Sequence, residues 1–154
     1  MNLVLVQPEI PPNTGNVARL CAATRTTLHL IEPLGFKLDD TQLKRAGMDY
    51  WQHVAWQRWA SWAAFAEKLP VNARLWFIES DGSQRYDEVK FAPDDYLVFG
   101  RETAGLPKQL LEENRERWLR IPMFNAEARS LNLSNCAALV LFEALRQQNF
   151  PDGH

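Results

Sequence analysis

The chain has 154 residues, 46% hydrophobic and 23% charged, with a formal net charge of −2. That length suits one domain with a single substantial core. The balance is that of a soluble globular protein, and no apolar run approaches the roughly 20 residues needed to cross a bilayer. The near-neutral charge argues against a protein that coats nucleic acid by bulk electrostatics, and two cysteines, Cys21 and Cys136, are too few for a disulfide framework, so a reducing cytoplasm is expected.

In chain order, "LVLVQ" (3–7) reads as a buried strand and "NTGNVARLCAATR" (13–25) as a helix whose apolar run is interrupted by a buried-looking Arg19. "LHLIEP" (28–33) is a second strand. "DDTQLKRAG" (39–47) is a short helix with an aspartate N-cap and a glycine stop. "HVAW" (53–56) reads as a brief strand. "SWAAFAEKL" (61–69) starts at a capping Ser61 and stops before Pro70, with Trp62, Phe65, Ala66 and Leu69 on one face. Strands follow at "RLWFIES" (74–80) and "DYLVFG" (95–100), then a short helix with Pro107 in its first turn, a strand "WLRIPM" (118–123) and a long helix over 133–148. Strand–helix alternation with apolar strands predicts an α/β fold built on a mostly parallel sheet.

From Cys136 to Phe142 the last helix is apolar on every side, where a surface helix should show one apolar stripe. Such a helix needs a second burial partner, and a second copy of the chain is the simplest one. The six tryptophans point the same way, since aromatic residues favour interfaces.

The common nucleotide fingerprints, G-x-G-x-x-G after a strand and G-x-x-x-x-G-K-[ST], are missing. His29, His53 and His154 are scattered, and no Cys/His spacing suggests a metal. Cys21 and Cys136 read as core residues. What remains are three polar loops, each at a strand end: "PPNTGNVAR" (11–19), "FGRETAGLP" (99–107) and "IPMFNAEARSLNLSN" (121–135). In open α/β sheets ligands sit at the carboxyl ends of strands, so three such loops form a plausible single site. Each loop alone has a simpler explanation. Asn13 or Thr14 could cap a helix, Gly100 and Gly105 could permit turns, and Ser130, Asn132 and Ser134 could compete to cap the last helix.

These loops resemble the three motifs of the SPOUT superfamily of methyltransferases. The similarity is greatest to the bacterial TrmL (YibK-like) branch, which 2′-O-methylates the wobble nucleotide of leucine tRNAs. The blocks "PEIPPNTGN..RLCA", "LHLIEPLGF", "RAG.DY", "FG.ET.GLP", "RIPM" and "RS.NLSN" recur in that branch in the same order over nearly the whole chain. The resemblance implies one Rossmann-like α/β domain with helices on both faces of the sheet and a deep C-terminal trefoil knot. It implies S-adenosylmethionine as cofactor, S-adenosylhomocysteine as product and no metal. It also implies a homodimer through the final helix, and tRNA as substrate.

Carried onto this sequence, the resemblance places Ile78, Gly100, Ile121, Ser130 and Leu131 around the cofactor, with Gly100 allowing close approach of the adenine. It makes Arg19, Asn13, Glu102, Ser130 and Asn132 the catalytic set. Glu102 would hold Arg19 or Asn13 in position, and Ser130 and Asn132 would order the methionine end and the ribose. A free guanidinium loses its proton only above about 12, so gripping a phosphate and orienting the hydroxyl is an easier task for Arg19 than general base. The branch often carries proline and arginine where this chain has Arg101 and Ala104, so Arg101 can replace a positive RNA contact. Arg19, Arg101, Arg129, Lys44 and Arg45 are the candidate RNA contacts. Two rival readings stay open: a 2′-O-methyltransferase acting on another tRNA position or on rRNA, and a cofactor- or RNA-binding module without chemistry.

Overall fold

Residues of alternating direction that are all apolar dictate a sheet buried on both sides. A computed structural model, describing residues 1–39 and 41–153, has that arrangement. The aspartate cap expected at Asp40, and His154, fall outside the described residues. Seven strands lie in the order β3-β2-β1-β6-β4-β7-β5, and every named pairing is parallel. They are β1 (Asn2–Val6), β2 (Thr27–Ile31), β3 (Trp56–Trp59), β4 (Leu75–Ile78), β5 (Gln84–Arg85), β6 (Tyr96–Phe99) and β7 (Trp118–Arg120).

The pleat sorts the core into two layers. Leu3, Leu5, Leu28, Leu30, Ile78, Leu97 and Phe99 face α1 (Pro11–Thr24) and α5 (Leu133–Gln147), which contribute Val17, Ala18, Cys21, Ala137, Val140, Leu141 and Ala144. Val4, Val6, Ile31, Phe77 and Val98 face α3 (Trp62–Glu67) and α4 (Lys108–Glu112), which contribute Phe65, Leu110 and Leu111. Helices therefore cover both faces, as expected. α2 (Thr41–Gly47) packs on α1, where Gly15 is needed: a Cβ there would lie 2.6 Å from the Ala46 Cβ and 2.8 Å from the Leu43 carbonyl oxygen.

Several boundaries differ from those read in the sequence, for local reasons. α1 begins two residues early because Pro11 and Pro12 fill its first turn, where a missing N–H costs nothing. The strand expected at 53–56 starts at Trp56, and His53 closes a 3₁₀ turn (Met48–His53). β3 is a mostly exposed edge strand, so it lacks the apolar run that marks its neighbours. β7 stops at Arg120, short of Pro122, which cannot donate to a ladder. Pro107 precedes α4 rather than entering it. The two-residue β5 went unread, and the Arg120 guanidinium holds its loop by donating to the carbonyls of Gly82 (2.8 Å) and Ser83 (3.0 Å).

The tryptophans mostly close the core. The indole N–H groups of Trp59, Trp76 and Trp118 donate to His29 Nδ1 (3.1 Å), Asp95 Oδ2 (2.8 Å) and the Leu111 carbonyl (2.6 Å). They give little support to the expectation of an interface. The last helix keeps its unpaired face: Leu139 is 42% and Phe142 49% exposed, while Ala137, Val140, Leu141 and Ala144 are buried.

His29 sits among Trp59, Phe65 and Tyr96, and burial holds its imidazole down at about 4 from an ordinary 6.5. Below that ordinary value the unfolded chain takes up a proton that the folded chain refuses, so stability falls with pH. Urea midpoints should show a loss from His29 of about 2 kcal/mol between pH 7 and pH 5. His29→Gln should abolish that part of the pH dependence.

Candidate active site

The parallel register brings Leu5, Phe99, Ile78 and Leu119 level across four adjacent strands. The chain leaves each strand on the same edge, and the connections after β1, β4, β6 and β7 surround one cavity of about 500 Å³. A cavity of that size suits a small molecule. Its walls include Asn13, Ile78, Gly100, Glu102, Ile121, Ser130, Leu131 and Asn132. Every site residue named from the sequence is therefore present except Arg19.

A line of hydrogen bonds joins three of the loops. The N-cap residue of α1, Ile10, offers no side-chain cap to the helix. Glu102, on the loop after β6, supplies it from 92 residues away. Its carboxylate accepts from the backbone N–H of Glu9 (2.8 Å) and of Ile10 (3.0 Å). The same carboxylate accepts from the Asn13 amide (3.2 Å). Asn13 in turn accepts from the Asn132 amide at 2.9 Å. Asn132 finally caps α5, accepting from the Ser134 N–H (2.9 Å) and hydroxyl (2.6 Å). A carboxylate only accepts and a backbone N–H only donates, so both amides are fixed in one orientation. Glu102 also lies where a helix N-terminus favours negative charge.

Glu9 returns the contact. Its carboxylate accepts from the Thr103 N–H (3.1 Å) and hydroxyl (2.7 Å). The Thr103 hydroxyl holds the Glu9 carboxyl below its usual range. The sequence reading missed Glu9, although an acid just ahead of a proline-initiated helix is a visible signal. It also missed Glu79, which accepts from the Leu106 N–H at 3.0 Å and whose carboxyl is raised by burial.

Gly100 is required, but not for the reason expected. The loop folds back on itself through paired backbone bonds between Arg101 and Gly105 (3.0 and 2.9 Å). A Cβ on Gly100 would lie 2.1 Å from the Gly105 carbonyl carbon, so the close neighbour is the chain's own backbone. Gly105 itself turns at φ +65° against the Glu79 carboxylate.

Arg19 departs most from expectation. It lies on the exposed face of α1 with its guanidinium 5.1 Å from the Tyr50 ring centroid. It does not line the cavity, and Glu102 holds Asn13 rather than Arg19. The first helical turn points to the strand ends, and Arg19 comes nearly two turns later.

The model of the SpoU rRNA Methylase family matches residues 1–142. The chain belongs to this family. It is 51% identical to a tRNA (cytidine(34)-2′-O)-methyltransferase of Burkholderia cenocepacia over 154 residues, covering 99% of this chain and 98% of that one. A solved structure described as giving structural insights into the 2-OH methylation of C/U34 on tRNA superposes with a TM-score of 0.91 and 48% identity, covering 96% and 95% of the two chains. The AdoMet-bound rRNA methyltransferase from Sinorhizobium meliloti matches at a TM-score of 0.80 and 25% identity, over 94% of this chain and 55% of that one.

The residues of this SpoU-family site fit such a cofactor. Ile78, Phe99, Ile121 and Leu131 offer apolar walls for a nucleoside, while Glu79 and Ser130 supply polar atoms for a charged tail.

Asn13→Asp would set two carboxylates against each other at a buried position. Denaturation at pH 7 should show a loss of roughly 1–3 kcal/mol, shrinking as the pH falls and the pair takes up a proton. Asn132→Asp keeps the α5 cap and should lose less.

Proposed function

We propose that the chain methylates the ribose 2′-hydroxyl of the wobble nucleotide, C34 or a modified U34, in leucine tRNAs, using S-adenosylmethionine. The observation that carries this reading is the convergence of three separate loops on one cavity, in a chain half identical to a tRNA (cytidine(34)-2′-O)-methyltransferase over nearly its whole length. When bound, S-adenosylmethionine supplies an electrophilic methyl group on a sulfonium.

The chain's own residues hold and orient. Ile78, Gly100, Ile121, Ser130 and Leu131 would seat the cofactor. Asn13 and Asn132, locked by Glu102, present a rigid polar edge to the ribose. Such positioning can supply on the order of 7–11 kcal/mol toward a reaction. Glu102 has its oxygens engaged by three donors, which suits a positioning residue better than a proton acceptor. Arg19, exposed and stacked on Tyr50, suits a phosphate grip.

The reading includes a single domain, a cytoplasmic homodimer on the exposed Leu139 and Phe142 face of α5, and the C-terminal trefoil knot that the family resemblance implies. An rRNA substrate is the second reading, favoured by the description of the family itself.

Methyl transfer to total tRNA and rRNA from cells lacking this activity, followed by nucleotide mapping, separates the two. The expected mark is a 2′-O-methyl at position 34 of leucine tRNAs, and a mark only on rRNA or at another position overturns the proposal. Arg19→Ala should lower the rate by about 100-fold or more while gel filtration still finds a dimer. Gly100→Ala should weaken S-adenosylhomocysteine binding, read by calorimetry.

A further inference from the structure

Phe124 is 99% exposed. Single exposed apolar residues are common on protein surfaces, and Val71, in the loop entering the amino end of β4, is one. Phe124 is placed differently. It follows Met123, which lines the cavity, by one peptide unit of about 3.8 Å. A few residues later the same loop returns Arg129 to the cavity wall. Between them the chain is turned by Asn125, whose side-chain oxygen accepts from the Glu127 N–H (3.0 Å) and whose carbonyl accepts from the Ala128 N–H (3.1 Å). The ring thus stands at the base of a closed turn, on the rim of the proposed active site.

The surrounding charge says what the ring can meet. Arg129 and Arg101 both line the cavity, and among the described residues neither forms an ion pair. The Arg101 Nε is buried without a hydrogen-bond partner. A protein surface closing over this rim would bury two uncompensated guanidinium groups unless it brought carboxylates of its own. A polynucleotide brings both complements together, a flat base for the ring and phosphodiesters for the two arginines.

We propose that Phe124 is a stacking platform for a nucleobase beside the target nucleotide, with Arg101 and Arg129 holding the flanking phosphates. This rests on the functional reading above and names the contact by which a chain of net charge −2 selects unpaired RNA. Base–aromatic stacking tolerates any base, so Phe124 would contribute affinity and placement, and sequence choice would come from elsewhere.

The test uses the full-length protein and a fluorescently labelled anticodon stem-loop of a leucine tRNA. Phe124→Ala should raise the Kd for this RNA, and the KM for whole tRNA, by roughly 5- to 150-fold. kcat, S-adenosylhomocysteine affinity and the oligomeric state should hardly change, and Phe124→Trp should restore binding. Arg101→Gln and Arg129→Gln should each lower the salt dependence of binding, by up to about one unit of slope. RNA affinity unchanged in Phe124→Ala overturns the proposal. So does a loss that comes with a shift in the monomer–dimer balance, which would assign Phe124 to contact between two copies. Phe124-dependent RNA binding without methylation at position 34 would sink the functional reading and leave this one standing. Normal methylation by Phe124→Ala would do the reverse.

Discussion

The Glu102 carboxylate is the contact on which the site depends. The α1 helix starts without a cap of its own, and an acid from a loop 92 residues downstream provides one. Because that acid also accepts from Asn13, the helix start, the loop after β6 and the start of α5 become one hydrogen-bonded unit. Charge-assisted bonds of this kind are roughly twice as strong as neutral ones. Here the same group serves stability and geometry. The residues that would face a ribose are the residues that hold the wall together.

The sheet makes this convergence possible. In an all-parallel sheet every strand delivers its chain to the same edge. The strands that meet at the centre, β1, β6, β4 and β7, come from both halves of the sequence. The two helices capped at this edge, α1 and α5, lie on one face and share a core layer. Their N-termini are therefore neighbours before any polar side chain is considered. Asn132 and Glu102 exploit a closeness already set by Val17, Cys21, Val140 and Leu141.

Much of this was legible in the sequence, and the exceptions have physical causes. Alternating apolar strands and helices gave the α/β class. The three loops were found because Asn, Ser, Glu and Gly are out of place between apolar strands unless something binds there. Asn132 was one of three candidates to cap the last helix, and the structure selects it. Arg19 was misread as buried because an apolar run on both sides hides which way a helical residue points, and it turns outward onto Tyr50. β5 and the start of β3 were unread or misplaced because edge strands need no apolar face. Gly100 was found for the wrong reason, since the backbone it accommodates is 5 residues further along the same loop.

The Asn132–Asn13 bond spans 119 residues of chain. A ribosome that has made residues 1–120 has completed every strand of the sheet yet left one wall of the cavity unbuilt. During synthesis Asn13 has only Glu102 for company, and the last helix is still inside the exit tunnel. Cofactor capture is thereby deferred to chain termination, and a prematurely ended product would carry a folded sheet with no catalytic competence.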